Sequence, residues 1–414
     1  MSRISLYVLL VAVAPVLAQA PKKANPQQVT TAERALTDYG CKLHRDDKAA
    51  GQPVDLVWFP PKTTNADLGR LVLSAARLPG LKMIDLGETN VTDAGLKELA
   101  RLPNLESVYL DKTAVTDAGL KELAGLERLA WLDLADTKVT GKGADTLAGM
   151  KALQHLFLEG IKLGTPEVAK LATLTRLRSL GLNSGRSDDA MKEVGKLTNL
   201  ETLRLDAAPG KAGFAELANL TKLTSLRIRG GLMSIPPEGW KVLAGLSELR
   251  TLDLSAYYHD DWTQYGAWTD RKREKAKAHA LPPAAQGLGD LTQLKNLDLT
   301  GYPIGDDVFK PIGKLTGLEE LCLTCTLVSL EGGKELSDMN KLRRLNVRNA
   351  LVTNAGLRSL EPLKGLEVIW LYDNRMSDDG VNRLQKALPR TKIYWKYSKG
   401  TADHRWRVPG GYGR

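Results

Sequence analysis

A leucine pattern that returns about every 24 residues constrains this 414-residue chain more than any other feature. Each unit reads Leu-x-x-Leu-x-Leu and is followed by a turn and a short helical phrase. The first leucine of the unit falls at twelve positions: Leu81, Leu105, Leu129, Leu153, Leu177, Leu200, Leu223, Leu249, Leu294, Leu318, Leu342 and Leu366. A unit this short cannot bury its own apolar face, so the pattern predicts that neighbouring units stack into a solenoid.

Each unit combines a strand with a helix. Residues 107–111 alternate between polar and apolar side chains, which is the two-residue period of a half-buried strand. Residues 115–126 then place apolar side chains at helical or near-helical spacing, and Thr116 suits the start of that helix. Successive strands should therefore lie parallel and adjacent. Because helices are wider than strands, the stack should curve with its strands on the concave side.

The turn after each strand carries a polar side chain at a fixed place. Thr89, Thr113 and Thr137 each follow the last strand leucine by three residues, and Asn374 holds the same place in a later unit. A polar side chain there can satisfy backbone groups that lack helix or strand partners. We expect these side chains to bond the turn of the next coil.

The phrase Val-Thr-Asp-Ala-Gly-Leu-Lys-Glu-Leu-Ala occurs at 91–100 and again at 115–124. Together with Leu-x-x-Leu-x-Leu, this phrase resembles the leucine-rich repeat, in the helix-bearing form of exported bacterial proteins. The resemblance covers roughly residues 54–397. It implies an α/β solenoid, a leucine-rich-repeat horseshoe with parallel strands on the concave face and short helices on the convex face. For function it implies only a protein-binding scaffold.

The chain divides into four parts. Residues 1–18 are typical of a secretory signal peptide, because Arg3 precedes an apolar run that ends in small residues at Ala18. An uncleaved anchor is the alternative. Residues 19–53 should form an N-terminal capping region, residues 54–397 the solenoid and residues 398–414 a basic flexible tail. This division predicts a periplasmic or extracellular protein with no membrane span in the mature chain.

The ends of the chain predict capping elements in detail. A helix is expected at 30–38, a first strand at 54–59 and its helix at 65–77. At the other end we expect a helix near 378–388 and a last strand at 392–397. Such elements would cover the terminal core of a solenoid.

The repeat is interrupted by an insertion at about 257–281, where one step is 45 residues long. The insertion contains five aromatic residues and a basic run at 271–275; the aromatic residues are Tyr257, Tyr258, Trp262, Tyr265 and Trp268. Loops this long are usually functional or disordered, and the aromatic content argues against plain disorder. The insertion is therefore predicted to be a recognition loop. The alternative is a flap whose aromatic rings pack on the flank of the solenoid.

Two units before the insertion have atypical turns. Residues 207–210 read Ala-Ala-Pro-Gly, and residues 235–237 read Ile-Pro-Pro. Proline and glycine at these places should shorten or distort the helical side. The alternative is sequence drift in a tolerant repeat.

The strand positions between the leucines predict the concave surface. Its N-terminal half combines acidic residues with aromatic ones, its middle is basic, and its C-terminal end is basic and aromatic. The candidate partner-binding residues are Tyr109, Trp131, Asp133 and Phe157, then Arg204, Arg227 and Arg229, and finally Arg344, Arg348, Trp370 and Tyr372. Acidic and basic sectors with exposed aromatic rings suit a polypeptide or a glycan better than a uniform polyanion. The alternative is that charged residues merely keep the sheet soluble.

The sequence predicts no catalytic residues, no cofactor and no metal site. It has no nucleophile elbow, zinc-protease helix or phosphate loop, and its five histidines lie on separate units or loops. The three cysteines are predicted to be small packing residues. Cys322 should face the concave side and Cys325 the following turn, so these two are poorly placed to form a disulfide with each other. The formal charge of +10 is concentrated in part at 390–414. That end suggests an acidic partner or, alternatively, a solubilising tail.

Three functions remain open. The leading interpretation is an exported, non-enzymatic scaffold that holds an unknown protein through the concave face and the insertion. An alternative is a cell-envelope or polysaccharide-binding structural protein, with its aromatic rings on sugars and its tail on an anionic polymer. A less favoured one is an effector-type adaptor in a host cell, since no ligase-like segment is visible. Nucleic acid is disfavoured as a partner.

Overall fold

The computed structural model describes residues 24–183, 187–256 and 280–396. Within them, fifteen strands form one open sheet in chain order. β1 (Lys42–Arg45) pairs antiparallel with β2 (Val54–Trp58), and every later strand runs parallel to its neighbours. The later strands are β3 (Met83–Asp85), β4 (Ser107–Tyr109), β5 (Trp131–Asp133), β6 (His155–Lys162), β7 (Ser179–Asn183), β8 (Thr202–Leu205), β9 (Ser225–Ile228), β10 (Thr251–Asp253), β11 (Asn296–Asp298), β12 (Glu320–Cys322), β13 (Arg344–Asn346), β14 (Val368–Trp370) and β15 (Lys392–Tyr394). This order confirms the predicted solenoid.

Helices alternate with the strands. The α-helices of the described ranges are α1 (Pro26–Tyr39), α2 (Asn65–Ala75), α3 (Asp93–Leu99), α4 (Asp117–Leu123), α5 (Ala144–Gly149), α6 (Thr165–Leu171), α7 (Asp188–Val194), α8 (Lys211–Leu217), α9 (Pro237–Gly245), α10 (Phe309–Ile312) and α11 (Asp378–Ala387). Short 3₁₀ helices occupy Gly141–Gly143, Gly231–Met233, Pro283–Asp290, Asp306–Val308, Gly333–Asp338 and Gly356–Leu360. None of the helices in the described ranges combines the length and apolarity that a bilayer crossing needs.

The N-terminal cap is larger than the sequence predicted. The helix expected at 30–38 begins at Pro26, because Asn25 and Gln28 form a reciprocal capping box before it. The strand β1, which the sequence analysis missed, then pairs with β2 and covers the first edge of the sheet. At the C-terminus, the last strand ends at Tyr394, three residues earlier than predicted.

Proline and glycine in the two atypical turns do not shorten the helical side. The helix α8 has seven residues, as many as α3 and α4, and α9 has nine. Gly210 serves as the N-cap of α8, and Pro237 is the first residue of α9. Proline in a first turn removes an N–H group that has no partner inside the helix, so the helix loses nothing there.

The leucines of successive coils form one continuous core. Ile84, Val108 and Leu132 stand in register on β3, β4 and β5, and all three are fully buried. Burial of a side chain of this size contributes on the order of 1.5–3 kcal/mol. Each coil therefore depends on its neighbours for its stability, as a stack of short units requires.

The turn threonines bond within their own coil, which corrects the expectation that they reach the next one. The hydroxyl of Thr89 donates to the carbonyl oxygen of Leu86 at 2.6 Å, and Thr113 donates to Leu110 in the same way. Asn374 does bridge coils, since its amide donates to Val347 O at 2.7 Å and also accepts a bond in that preceding coil. A short hydroxyl reaches only its own turn, whereas an amide spans two.

Consecutive coils are joined where their helices begin. The carboxylate of Asp93, the first residue of α3, accepts bonds from the backbone N–H of Thr116 at 2.7 Å and from its hydroxyl at 2.6 Å. Thr116 is the N-cap of α4. Asp117 bonds Thr140 in the next coil in the same way, at 2.9 and 2.6 Å. The start of one helix therefore positions the start of the next.

Glycine makes room for this contact. A Cβ atom on Gly119 would lie 2.5 Å from Asp93 Oδ1, and one on Gly143 would lie 2.8 Å from Asp117 Oδ1. The repeated Thr-Asp-Ala-Gly phrase is therefore an interlock between coils. Its aspartate supplies the bonds and its glycine supplies the space for the aspartate of the coil before.

We expect Gly119→Ala to destabilise the protein by about 1–3 kcal/mol, because the new methyl group would displace Asp93 from Thr116. Gly149→Ala is the matched control, since Gly149 ends α5 and nothing lies within 4 Å of its added Cβ. That change should be neutral or stabilising. Urea unfolding of both variants measures the difference, and equal midpoints would show that the interlock does not carry stability.

Candidate functional site

One line of side chains crosses the concave face of the sheet from strand to strand, and we call it the central column. Parallel register places its members opposite one another on successive strands. From β2 to β15 they are Trp58, Asp85, Tyr109, Asp133, Phe157, Gly181, Arg204, Arg227, Asp253, Asp298, Cys322, Asn346, Trp370 and Tyr394. Neighbouring strands lie about 4.8 Å apart, which brings successive side chains of the column close to one another.

Four aromatic side chains stack on β4, β5 and β6, and we call them the aromatic ladder. The ring of Trp131 lies with its centroid 5.9 Å from Tyr109, 4.4 Å from His155 and 5.2 Å from Phe157. Nδ1 of His155 lies 2.8 Å from the hydroxyl of Ser179, and burial lowers the pKa of this histidine. The ladder is thus a neutral platform fixed by contacts across strands.

The expectation of exposed aromatic rings is wrong for the centre of this platform. Trp131 is 8% exposed and Phe157 2% exposed, whereas Tyr109 is half-buried. Rings on adjacent strands are close enough to cover one another's faces. The ladder therefore offers edges to a ligand rather than open faces.

Gly181 allows an arginine to reach the ladder. It occupies the central column between Phe157 and Arg204 and has no side chain to separate them. The guanidinium of Arg204 lies 4.5 Å over the ring of Phe157, and its Nη1 is 3.6 Å from Oε1 of Glu159. A Cβ atom on Gly181 would overlap the carboxylate of Glu159. Because Gly181 lacks a side chain, Arg204 on β8 reaches Phe157 and Glu159 on β6, although β6 and β8 are not adjacent strands.

Three carboxylates on β4 to β6 or directly after them form what we call the acidic sector: Asp111, Asp133 and Glu159. The pKa of Asp133 is raised to about 7, first by burial and then by the charges of Asp111 and Glu159, against the opposing effect of the Ala135 amide and of Arg204. Among the described residues, Asp133 has no ion-pair partner. The fold therefore disfavours the ionised form of Asp133.

Three arginines on β8 and β9 or directly after them form what we call the arginine sector: Arg204, Arg227 and Arg229. Nε of Arg227 donates to Oδ2 of Asp253 at 2.5 Å. Burial disfavours the charge of Arg227, but Asp253 outweighs that effect and its pKa is raised. The pKa of Arg204 is lowered by burial and then by the adjacent Arg227. Like charges are thus held side by side here as well.

From β10 to β13 the central column is buried. Asp253, Asp298, Cys322 and Asn346 are each no more than 3% exposed. Cys322 does face the concave side, as predicted, and its thiol lies 3.2 Å from the hydroxyl of Thr300. Before this buried stretch, the half-buried surface formed by β4 to β9 combines charges of both signs with aromatic rings.

A second group of candidates lies at the C-terminal end. The guanidinium of Arg348 lies 5.2 Å over the ring of Tyr372, and Trp370 stacks on Tyr394 with centroids 6.2 Å apart. Arg344 is paired with Glu320 at 2.9 Å. The structure does not bring this group to the ladder, because seven strands lie between β6 and β14 in the sheet.

The remaining candidates are Tyr257, Tyr258, Trp262, Tyr265 and Trp268, which lie outside the described residues, as do the predicted signal peptide at 1–18 and the tail at 398–414. Within the described ranges, no three His, Cys, Asp or Glu side chains are grouped as metal ligands would be. Asp133, Arg204, Arg227 and Arg229 were predicted from the sequence to lie on this surface, whereas the role of Gly181 was not. A glycine in a strand pattern is the signal that could have found it.

Known proteins share this architecture. A family model described as a leucine-rich repeat region matches residues 63–276. Among solved structures, an internalin from Listeria monocytogenes is 17% identical, with a TM-score of 0.50, over 90% of this chain and 95% of that one. No curated protein matches the sequence.

Two further structures are similar at lower scores. A leucine-rich-repeat protein from Leptospira interrogans is 22% identical with a TM-score of 0.40, over 91% of this chain and 99% of that one. The TLR13–ssRNA13 complex is 18% identical with a TM-score of 0.47, over 77% of this chain and 54% of that one. Likeness at this level of identity concerns the fold alone.

We expect Asp133→Asn to stabilise the protein at pH 8 by on the order of a few kcal/mol, and much less at pH 4. The folded state raises the pKa of Asp133 above its value of 3.8 in the unfolded chain. The folded state thus binds the proton more tightly, and stability falls as the pH rises from about 4 to about 7. An asparagine avoids this loss and can still accept the bond from Ala135.

Urea unfolding at both pH values, with the exposed Asp145→Asn as control, measures this effect. The side chain of Asp145 is 74% exposed, so its loss should change stability little at either pH. A pH-independent difference between Asp133→Asn and the parent would contradict the assignment of an unbalanced carboxylate.

Proposed function

Because the chain belongs to the leucine-rich-repeat family, we propose that it is an exported, non-enzymatic scaffold that binds a protein partner through its concave face and its aromatic insertion. Proteins of this family generally serve as protein-binding scaffolds, and solenoids present long concave surfaces for that purpose. The signal-like residues 1–18 support export, and the aromatic content of 257–281 supports a binding role for the insertion.

The observation that carries the proposal is the half-buried surface on β4 to β9. It combines the aromatic ladder with charges of both signs, and the ionised form of Asp133 is disfavoured in the unbound protein. Groups with strongly shifted pKa values concentrate at functional sites. A carboxylate that lowers the stability of the fold is expected where function requires it.

The same surface gives less support to the polysaccharide alternative. Sugars stack on open aromatic faces, and the faces of Trp131 and Phe157 are covered by their neighbours and by Arg204. Charges of both signs within four strands also suit a protein better than a polyanion of uniform charge. A polypeptide carries both signs and can meet both sectors.

We expect the concave double variant Tyr109→Ala with Arg229→Ala to lose at least tenfold in affinity for the partner. The chain from residue 19 is immobilised, exposed to secreted and envelope fractions of its own cells, and the captured polypeptide is then purified and titrated. Loss of an aromatic and an arginine contact at an interface commonly costs this much or more.

The convex double variant Lys97→Ala with Lys121→Ala is the matched control, since both lysines are exposed on the outer helices α3 and α4. It should bind as the parent does. Equal affinities of all three proteins would refute binding by the concave face.

We expect the double variant Trp262→Ala with Trp268→Ala to bind the same partner more weakly, while the midpoint of its thermal unfolding stays unchanged. Aromatic residues on a long loop are frequent anchors of binding sites. The titration is repeated with the purified polypeptide. Unchanged affinity would remove the insertion from the site and leave the concave face as the proposed contact.

A further inference from the structure

We propose that the partner presents an extended segment with two opposite charges to this face: a Lys or Arg side chain at the acidic sector, and an Asp or Glu side chain at the arginine sector. The inference rests on the proposed function, because it specifies the chemistry of the partner for the same surface. The surface is the half-buried face of β4 to β9, and the pattern of its charges determines which ligand it would bind.

The acidic sector favours a cation. Asp133 on β5 is faced by Asp111, which follows β4, by Glu159 from β6 and by Arg204 from β8. The arginine is 3.6 Å from Glu159 and only partly offsets the repulsion that Asp133 experiences. An ammonium or guanidinium group beside Asp133 would offset the burial and the like-charge repulsion that disfavour its ionised form.

The arginine sector favours a carboxylate. Arg204 and Arg227 face each other in register on β8 and β9, and Arg227 adds to burial in lowering the pKa of Arg204. Arg227 uses its Nε–H group for Asp253, which leaves its terminal N–H groups for a ligand, and Arg204 approaches Glu159 no closer than 3.6 Å. Guanidinium groups with unused donors bind carboxylates in a paired geometry.

The separation of the two sectors sets the spacing of the charges on the partner. β5 and β9 are four strands apart in the sheet, which corresponds to about 19 Å at ~4.8 Å per strand. An extended chain advances roughly 3.3 Å per residue, so the two charged residues should be about six positions apart. An extended segment of the partner with this spacing can lie across the strands from β5 to β9.

The arrangement also rejects other ligands. A segment with basic residues alone would place a cation against Arg204 and Arg227, and an acidic one would place a carboxylate against Asp133 and Glu159. Like charges brought together at an interface oppose binding by several kcal/mol. Specificity of this kind depends on repulsion of wrong partners as much as on attraction of the right one.

A phage-displayed library of random twelve-residue peptides, selected on the chain from residue 19, tests the proposal. We expect the enriched peptides to carry one basic and one acidic residue about six positions apart. A representative peptide is then synthesised with its basic residue intact or changed to Ala, and both are titrated against the parent, Asp133→Asn and the control Asp145→Asn.

On the parent and on the control, removal of the basic residue should weaken binding about tenfold. On Asp133→Asn the same removal should change affinity by less than threefold, because the group that it contacts has already lost its charge. Affinity of the basic peptide for the parent should rise between pH 6 and pH 8, since Asp133 loses its proton near pH 7. On Asp133→Asn this rise should be absent.

The outcome separates this inference from the proposed function. Enriched peptides of a single sign, or equal losses on the parent and on Asp133→Asn, would overturn the two-charge segment. If such peptides still lose affinity for Tyr109→Ala with Arg229→Ala, the concave face remains a protein-binding surface. Failure of the library to yield any binding peptide would also overturn the inference. The proposed function would then be tested independently by capture of the natural partner.

Discussion

Stacking of each coil on the next is the constraint on which the rest of this structure depends. A single coil has one strand, one turn and one short helix, and it cannot enclose its own leucines. The core exists only because coils repeat in register, with Ile84, Val108 and Leu132 on consecutive strands. On the helical side, the bond from Asp93 to Thr116 in the next coil maintains that register.

The same stacking determines the chemistry of the concave face. Register brings one side chain from each strand to within about 4.8 Å of the next, so residues far apart in sequence become neighbours. Aromatic residues then cover one another, as Trp131 and His155 do. Burial and the neighbouring carboxylates raise the pKa of Asp133, and burial together with Arg227 lowers that of Arg204. A surface with such unfavourable local pairs gains most from a ligand of complementary charge, which is why the site points to a partner with both signs.

Much of the site could be predicted because the repeat period assigns each residue a place. Tyr109, Asp133 and Arg204 were assigned to the concave face from their spacing to the leucines, and the strand register bears this out. Their exposure could not be predicted in the same way. Whether Phe157 is open or covered depends on Arg204, which lies two strands away and reaches it only because Gly181 has no side chain.

The sequence by itself determined the architecture, since a leucine period of about 24 residues allows only a stack of strand–helix coils. It also determined which residues line the concave face, because strand alternation is a local property. Only the tertiary structure decided which of them interact. Three features arise from contacts between coils: Asp93 approaches Gly119 closely, Arg204 extends past Gly181, and Cys322 is buried. Distances between coils depend on packing and side-chain conformation, which no repeat pattern records.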